Sequence, residues 1–413
     1  MPTIEPLTPQ PHLHAFAGYG IELEYMLVDS DTLAVAPVAD RLLAMQAGEI
    51  VNEVVRGELA WSNELVLHVI ELKTNGPASG LDGLSDRFHE AIRRINLDLS
   101  PMRIALLPTA MHPLFRPDFE TRLWPHGQNE IYAAYDRIFR CRGHGWSNLQ
   151  SMHINLPFAD DREFQRLHAA IRVVLPLIPA LAAASPLVEG VWTGWMDSRL
   201  RFYRDNQKRI PEIAGQVVPE SVASIDEYRR RILDPMYAAI RPFDPDDILS
   251  DDWLNSRGAI ARFERQTIEI RVIDIQECPA ADLAIAEAVV ALIKRLHDHD
   301  ELIEQGGRLD TASLARQLFA AARDGASVRF EDLSWLRLLG VQAPCRGSEL
   351  WGRLVADLAL GEAARRTLTD MLERGTLAEA IRRRLGEAPR RAEIVSCYRE
   401  LGTCLAENRL FLP

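Results

Sequence analysis

Gly20-Ile21-Glu22-Leu23-Glu24-Tyr25-Met26-Leu27-Val28 decides how the rest of this 413-residue chain is read. Apolar and charged residues alternate along it until Asp29 and Ser30 end the run. Side chains of a strand point to opposite faces with a period of two. The spacing therefore puts Ile21, Leu23 and Tyr25 on one face and Glu22 and Glu24 on the other. The two carboxylates then stand about 7 Å apart, twice the rise per residue. On an open face they would be solvated. In a cleft their repulsion calls for a cation between them, and a divalent ion held by oxygen ligands meets that need. The Glu-x-Glu pair alone leaves both readings open.

Three further stretches carry polar residues of ligand type. Glu64 to Thr74 reads as a strand stopped by Asn75-Gly76-Pro77, with Glu64 and Glu71 seven residues apart. In a regular strand those two face opposite sides, so a shared site requires a bulge or bend. Ser147 to Pro157 reads as a third strand with His153 and Asn155 on one face and Met152, Ile154 and Leu156 on the other. A strand histidine taken alone is more often a hydrogen-bonded structural residue than a ligand. Ile260 to Asp274 reads as a fourth strand, with Thr267, Glu269 and Arg271 alternating against Ile268, Ile270 and Val272. Between them, Glu189 to Gln207 interleaves tryptophan, arginine and tyrosine, either as the coat of a pocket for a charged small molecule or as a solvated helix.

Around these strands the pattern turns helical. Asp40–Ala47 is a short helix, whereas 50–59 suits neither helix nor strand well. Leu84, Phe88, Ile92, Ile95 and Leu99 form one stripe of an amphipathic helix over 81–99. A buried strand over 102–109 follows. The segment from Pro108 to His126 is broken up by prolines, and a helix over 163–184 is interrupted by Pro176 and Pro179. From Ala281 onward the chain reads as helices: 283–296, 311–323, 349–358, 361–373, 376–385 and 392–407. This pattern places the main domain at 1–300 and a helical carboxy-terminal region at 301–413.

Composition narrows the class. A hydrophobic content of 47% over this length supports a substantial core. A net charge of -12 argues against binding nucleic acid by phosphate neutralisation. The only lysines are Lys73, Lys208 and Lys294, so no lysine-rich patch exists. Five scattered cysteines, with no Cys-x-x-Cys pair, fit a reducing cytoplasm. Met1 to Pro11 lacks the pattern of a secretory leader, and no run approaches a membrane span. The expectation is a cytoplasmic protein with small-molecule substrates, no nucleic-acid or membrane partner, and possible homo-oligomers.

The order of these segments resembles the second family of glutamate–cysteine ligases, the carboxylate–amine ligases with a glutamine synthetase-like fold. The residues that carry the resemblance are Gly20-Ile-Glu-Leu-Glu24, the strand ending Glu71-Leu-Lys-Thr74, Met152-His-Ile-Asn155, Ser185-Pro186 with Thr193-Gly194 and Ser198-Arg199, and Ile268-Glu-Ile-Arg271. It covers residues from about 18 to 300. The implied fold is α+β, with a curved, mainly antiparallel sheet lining an active-site cleft and helices on its other face. The implied metal ligands are Glu22, Glu24, Glu64, Glu71, His153 and Glu269. Two departures stand out: Asn155 where family members often carry a second histidine, and Leu23 where a further acid is common.

The implied activity is ATP-dependent: the γ-phosphate passes to a substrate carboxylate, and an amine attacks the acyl phosphate. Three anionic groups must meet, so several fixed cations are needed. Mg2+, or Mn2+, takes few protein carboxylates per ion, so five glutamates and a histidine imply more than one ion. Arg271 is expected at the transferring phosphoryl group and Arg199 at the substrate carboxylate, with Arg271, Asn155 and Arg204 assigned to the nucleotide. A guanidino-kinase-like phosphotransferase and a non-catalytic metal- or metabolite-binding homologue are the alternatives. The kinase relies on arginine clamps with few carboxylates, which the five glutamates oppose.

Overall fold

A computed structural model describes residues 12–413; the Met1–Pro11 stretch, read above for a leader, lies outside them. The opening strand is β1 (Gly20–Asp29). It is followed by β2 (Glu53–Arg56), β3 (Leu59–Asn63), β4 (Val69–Thr74), β5 (Ile104–Leu107) and β6 (Ser151–Pro157). A small ribbon of β7 (Leu187–Val188) and β8 (Val191–Trp192) precedes β9 (Ala259–Arg262) and β10 (Thr267–Asp274). The main sheet runs β2-β3-β4-β1-β6-β10-β9, and β5 takes the far half of the β1 edge that β6 leaves open. Every pairing in it is antiparallel.

The alternation in β1 sorts residues as expected. Ile21, Leu23 and Tyr25 are fully buried in the core. The stripe on the helix Leu84–Leu99 is buried against them, with Leu84, Phe88, Ile92, Ile95 and Leu99 all at 1% exposure or less. The helices Asp161–Val174 and Pro279–His297 complete this apolar layer, and the last helix, Arg391–Glu407, packs on Leu84–Leu99 and β5. Glu22 and Glu24 face the other side of the sheet. Fold and layering are thus α+β, with helices behind a sheet whose polar face is left for a cleft.

Three stretches of the sheet differ from the sequence reading, each where a turn needs tertiary context. The expected strand over 64–74 is the end of a hairpin: β3 stops at Asn63, residues 64–68 form an irregular link, and β4 begins at Val69. The stretch over 50–59 supplies the edge strand β2 of the same meander. The expected strand over 260–274 is a second hairpin, β9 and β10, with a turn over 263–266. Among the described residues, helices at Asp234–Ile240, Asp300–Gly307 and Leu333–Leu338 lay outside the sequence expectation. The helix over 163–184 breaks after Val174 into a short turn and Pro179–Ala182, as its two prolines require.

Candidate active site

The register of the sheet arranges the polar face as rows. Glu22 lies opposite Lys73 on β4 and His153 on β6. Glu24 lies opposite Glu71, and Ser62 of β3 continues that row. Asn155 stands between Gly20 and Glu269. A glycine is required at 20, because a Cβ there would come within 2.8 Å of the Asn155 Cβ. Local strand pattern chooses the face, and antiparallel register then brings residues 131 apart, Glu22 and His153, into contact.

His153 is the pivot. Its Nδ1 is 2.8 Å from Glu22 Oε2 and 3.7 Å from Glu269 Oε1. Its Nε2 points the other way, 2.9 Å from Ser151 Oγ and 3.8 Å from Glu24 Oε1. Ligand atoms of Glu22, His153 and Glu269 lie within 4.8 Å of one another, and so do those of Glu24, Glu71 and His153. Glu64 belongs to neither set, although it lines the same cleft.

Other residues hold these carboxylates in place. Ser151 donates to Glu24 Oε2 from its backbone N–H at 2.7 Å and from its hydroxyl at 3.1 Å, and Ser62 Oγ donates to Glu71 Oε1 at 2.7 Å. Asn155 Nδ2 donates to Glu22 Oε1 at 3.1 Å. Arg262 Nη1 and Arg271 Nε take the two oxygens of Glu269, at 3.0 and 2.5 Å.

The electrostatics follow from crowding in a buried face. Burial opposes a charge on Glu269, but Arg271, His153 and Arg262 hold its carboxyl well below the ordinary range. Burial also opposes a charged His153; the Glu22 hydrogen bond and the charges of Glu24, Glu22 and Glu269 outweigh it, raising the imidazole to about 9. Glu64 goes the other way, pushed well above the usual carboxylate range by burial and then by Glu24 and Glu71. Glu71 is raised by burial and by Glu22, against Lys73 and Ser62. Burial and like charge thus oppose ionisation at Glu64 and Glu71, and an added cation would relieve both. Oxygen donors with one imidazole suit a hard divalent ion. The donor set therefore fits the metal that the sequence suggests.

The cleft above this face has a volume of about 530 Å3. Its lining residues run from Glu22 to Arg271 in the chain, so none comes from the helices beyond residue 300. Tyr132, Tyr135, Trp146, Tyr203 and Trp253 also line it. A second depression of about 560 Å3 opens at the Gly20 end of β1, lined by Tyr19, Gly20, Pro77, Asn155, Pro157 and Thr267 among others.

The structure brings Glu22, Glu24, Glu64, Glu71, His153, Glu269 and Arg271 to one cleft, whereas Asn155 lines the second depression. The two remaining arginines, Arg199 and Arg204, are placed differently. Arg199 reaches the cleft wall but is buried, with Nε donating to Asp274 Oδ1 at 2.6 Å and both Nη atoms to the Arg271 carbonyl at 3.2 to 3.3 Å. Each nitrogen of its guanidinium thus has a partner within the wall. Arg204 lies outside the cleft, paired with Asp205 at 2.9 Å and lying 5.0 Å from the Phe319 ring centroid. It turns away because a helix over Ser198–Asp205 gives Arg199 and Tyr203 the inner face. Sequence reasoning passed over Ser62, Lys73, Ser151, Arg262 and Arg265. Lys73, two residues after Glu71, and Ser151, two before His153, were visible in the strand period; Ser62, Arg262 and Arg265 depend on the hairpins.

Comparisons with known proteins place the chain in a family. A protein of Archaeoglobus fulgidus described only as uncharacterized is 36% identical over 394 residues, 95% of this chain and 100% of its own length. A Bradyrhizobium protein named "Putative glutamate--cysteine ligase 2" is 26% identical over 354 residues, 83% of this chain and 75% of its own. A crystal structure of glutamate–cysteine ligase from Francisella tularensis in complex with AMP matches with a TM-score of 0.58 over 93% of this chain and 88% of that one; at 14% identity, this is likeness of fold. The class is that of ATP-dependent carboxylate–amine ligases. The chain belongs to glutamate–cysteine ligase family 2, whose model matches residues 19–383.

Proposed function

We propose that this protein joins a glutamate-like carboxylate to an amine through an acyl phosphate, using ATP with Mg2+ or Mn2+. The observation that carries the reading is the position of His153 in the cleft, with one ring nitrogen toward each carboxylate set. Glu22, His153 and Glu269 would hold one ion and Glu24 and Glu71 another, with Glu64 beside the latter. The ions would neutralise nucleotide and carboxylate so that the two can approach.

The chain's own residues do the rest. Asn155, Gly20 and Thr267 line the arm that receives the nucleotide, and Ser62 and Ser151 fix the carboxylate rotamers. The aromatic wall of Tyr135, Trp146, Tyr203 and Trp253 excludes water from the arm where the acyl group meets the amine. Arg262 and Arg271 keep Glu269 ionised and oriented. Both arginines are engaged by that carboxylate, which disfavours the guanidino-kinase reading, where arginines would clamp nucleotide. The helices beyond residue 300 support the sheet from behind. No helix among the described residues is long and apolar enough to cross a membrane, and all five cysteines are free and buried, which suits a cytoplasmic setting.

The test is ADP release from purified protein with ATP and Mg2+, first with glutamate alone and then across a panel of amines that includes cysteine. Stimulation by one acid–amine pair, with a new amide in the product, is the expected result. A phosphorylated guanidine as the only product, or no amide from any pair, would overturn the reading.

A further inference from the structure

The cleft and the second depression share three lining residues, Glu22, Lys73 and Arg265, and two of these are cations. If nucleotide occupies one arm and carboxylate the other, as proposed above, the γ-phosphoryl group must cross this neck. Charge that moves during the reaction needs cations that are not already committed. Arg262 and Arg271 are held by Glu269, and Arg199 by Asp274. Arg265 only approaches a carboxylate, and Lys73 is shared between two, one of them half-exposed.

Arg265 stands at the tip of the β9–β10 turn with 53% of its side chain exposed, and its nearest carboxylate oxygen, Glu22 Oε1, is 3.7 Å away. Lys73 Nζ bridges Glu71 Oε1 at 3.0 Å and Glu53 Oε2 at 2.9 Å, and Glu53 sits on the edge strand with 46% of its side chain exposed. Glu53 is the half-exposed partner of the two, so its carboxylate can turn to solvent and leave Lys73 to take a phosphoryl oxygen. Lys73 rises from β4 on one side of Glu22, and Arg265 reaches it from the β10 side of the sheet.

We propose that Lys73 and Arg265 form a two-sided clamp on the phosphoryl group in transfer. As the bond from the γ-phosphorus to the bridging oxygen breaks and ADP leaves with the electron pair, a carboxylate oxygen forms the new P–O bond. The two cations hold the equatorial oxygens meanwhile; no proton moves in this step. Neither residue is in the ligand set that the family resemblance implies.

The experiment uses the full chain with Arg265→Met, Arg265→Lys and Lys73→Met. It measures Mg2+-dependent ATP binding by calorimetry, retention of ADP with aluminium fluoride as a mimic of the phosphoryl group in flight, and turnover. Both methionine variants should bind ATP within about threefold of wild type, yet lose about 100-fold in affinity for the ADP–fluoride complex and in kcat, as loss of one preorganised donor does. Arg265→Lys should recover part of the loss. Arg265 is exposed, so its variants fold whatever becomes of Lys73→Met. Fluoride-complex affinity and kcat within about threefold of wild type in Arg265→Met would overturn the clamp, and amide formation by the wild type would then leave the ligase reading standing. Selective loss of the fluoride complex, in a protein that forms no amide with any pair, would uphold the clamp and remove the ligase reading.

Discussion

His153 lies directly across the β1–β6 pairing from Glu22, its Nδ1 2.8 Å from Glu22 Oε2, while its Nε2 faces Ser151 and Glu24. One imidazole thereby couples two carboxylate sets that would otherwise be separate ion sites. Removing it should disturb both. In His153→Ala, Mg2+-dependent ATP binding should weaken by about 10-fold or more, the scale seen when groups that orient metal ligands are lost. The fold should survive, because the ring lies on the cleft side of the sheet. Calorimetric titration of ATP with and without Mg2+, beside a thermal melt, checks both statements. Unchanged metal-dependent binding would remove His153 from the site.

Glu64 stands apart from both sets, and its carboxyl is pushed up by burial and by Glu24 and Glu71. In Glu64→Gln the metal-free protein should gain stability, because the amide carries no charge for burial and for Glu24 and Glu71 to oppose. The added stability on saturating Mg2+ should shrink in the same variant. Thermal melts with EDTA and with Mg2+ give both quantities. A variant that is less stable without metal and equally stabilised by it would show that Glu64 neither suffers repulsion nor helps hold an ion.

His168 makes a stability prediction far from the cleft. It is buried between Phe164 and Tyr228, neither ring nitrogen has a hydrogen-bond partner, and burial, with Arg172 and Arg257 nearby, lowers it to about 3. Between the ordinary histidine value of 6.5 and that depressed value, the unfolded chain binds a proton that the folded chain refuses. Its contribution is therefore complete above about pH 6.5 and declines as pH falls, by about 2 kcal/mol near pH 5. His68 and His112, both lowered to about 4 by burial, act in the same direction. His168→Phe should flatten the fall in melting temperature between pH 7 and 5, and an unaltered pH profile would contradict the buried neutral state.

The carboxy-terminal end is tied to the sheet by charge. Arg374 is ion-paired with the fully buried Glu277, which follows β10 and also accepts the Phe411 N–H at 3.2 Å. Arg374→Met would leave Glu277 buried without its cation, a change that costs about 3–5 kcal/mol. Adding Glu277→Gln should recover part of it. Urea unfolding of the single and double variants measures the difference. Because no residue beyond 271 lines the cleft, Mg2+-dependent ATP binding should be preserved in the folded fraction.

What the sequence determined by itself was periodic. The two-residue period of β1 placed Glu22 and Glu24 opposite Ile21, Leu23 and Tyr25, the same period put His153 with Asn155 and Glu269 with Arg271, and the helical stripe from Leu84 to Leu99 located the layer behind them. These patterns are local, because each residue's face is fixed by its near neighbours. The tertiary structure decided everything that depends on turns and register. Glu64 and Glu71 share a cleft only because β3 ends at Asn63 and the link to β4 resets the period. Arg262 meets Glu269 only through the β9–β10 hairpin, Arg199 is taken up by Asp274, and Arg204 is turned outward by its helix. Which donor is already satisfied depends on partners brought in from distant strands, and such partners leave no periodic mark in the chain.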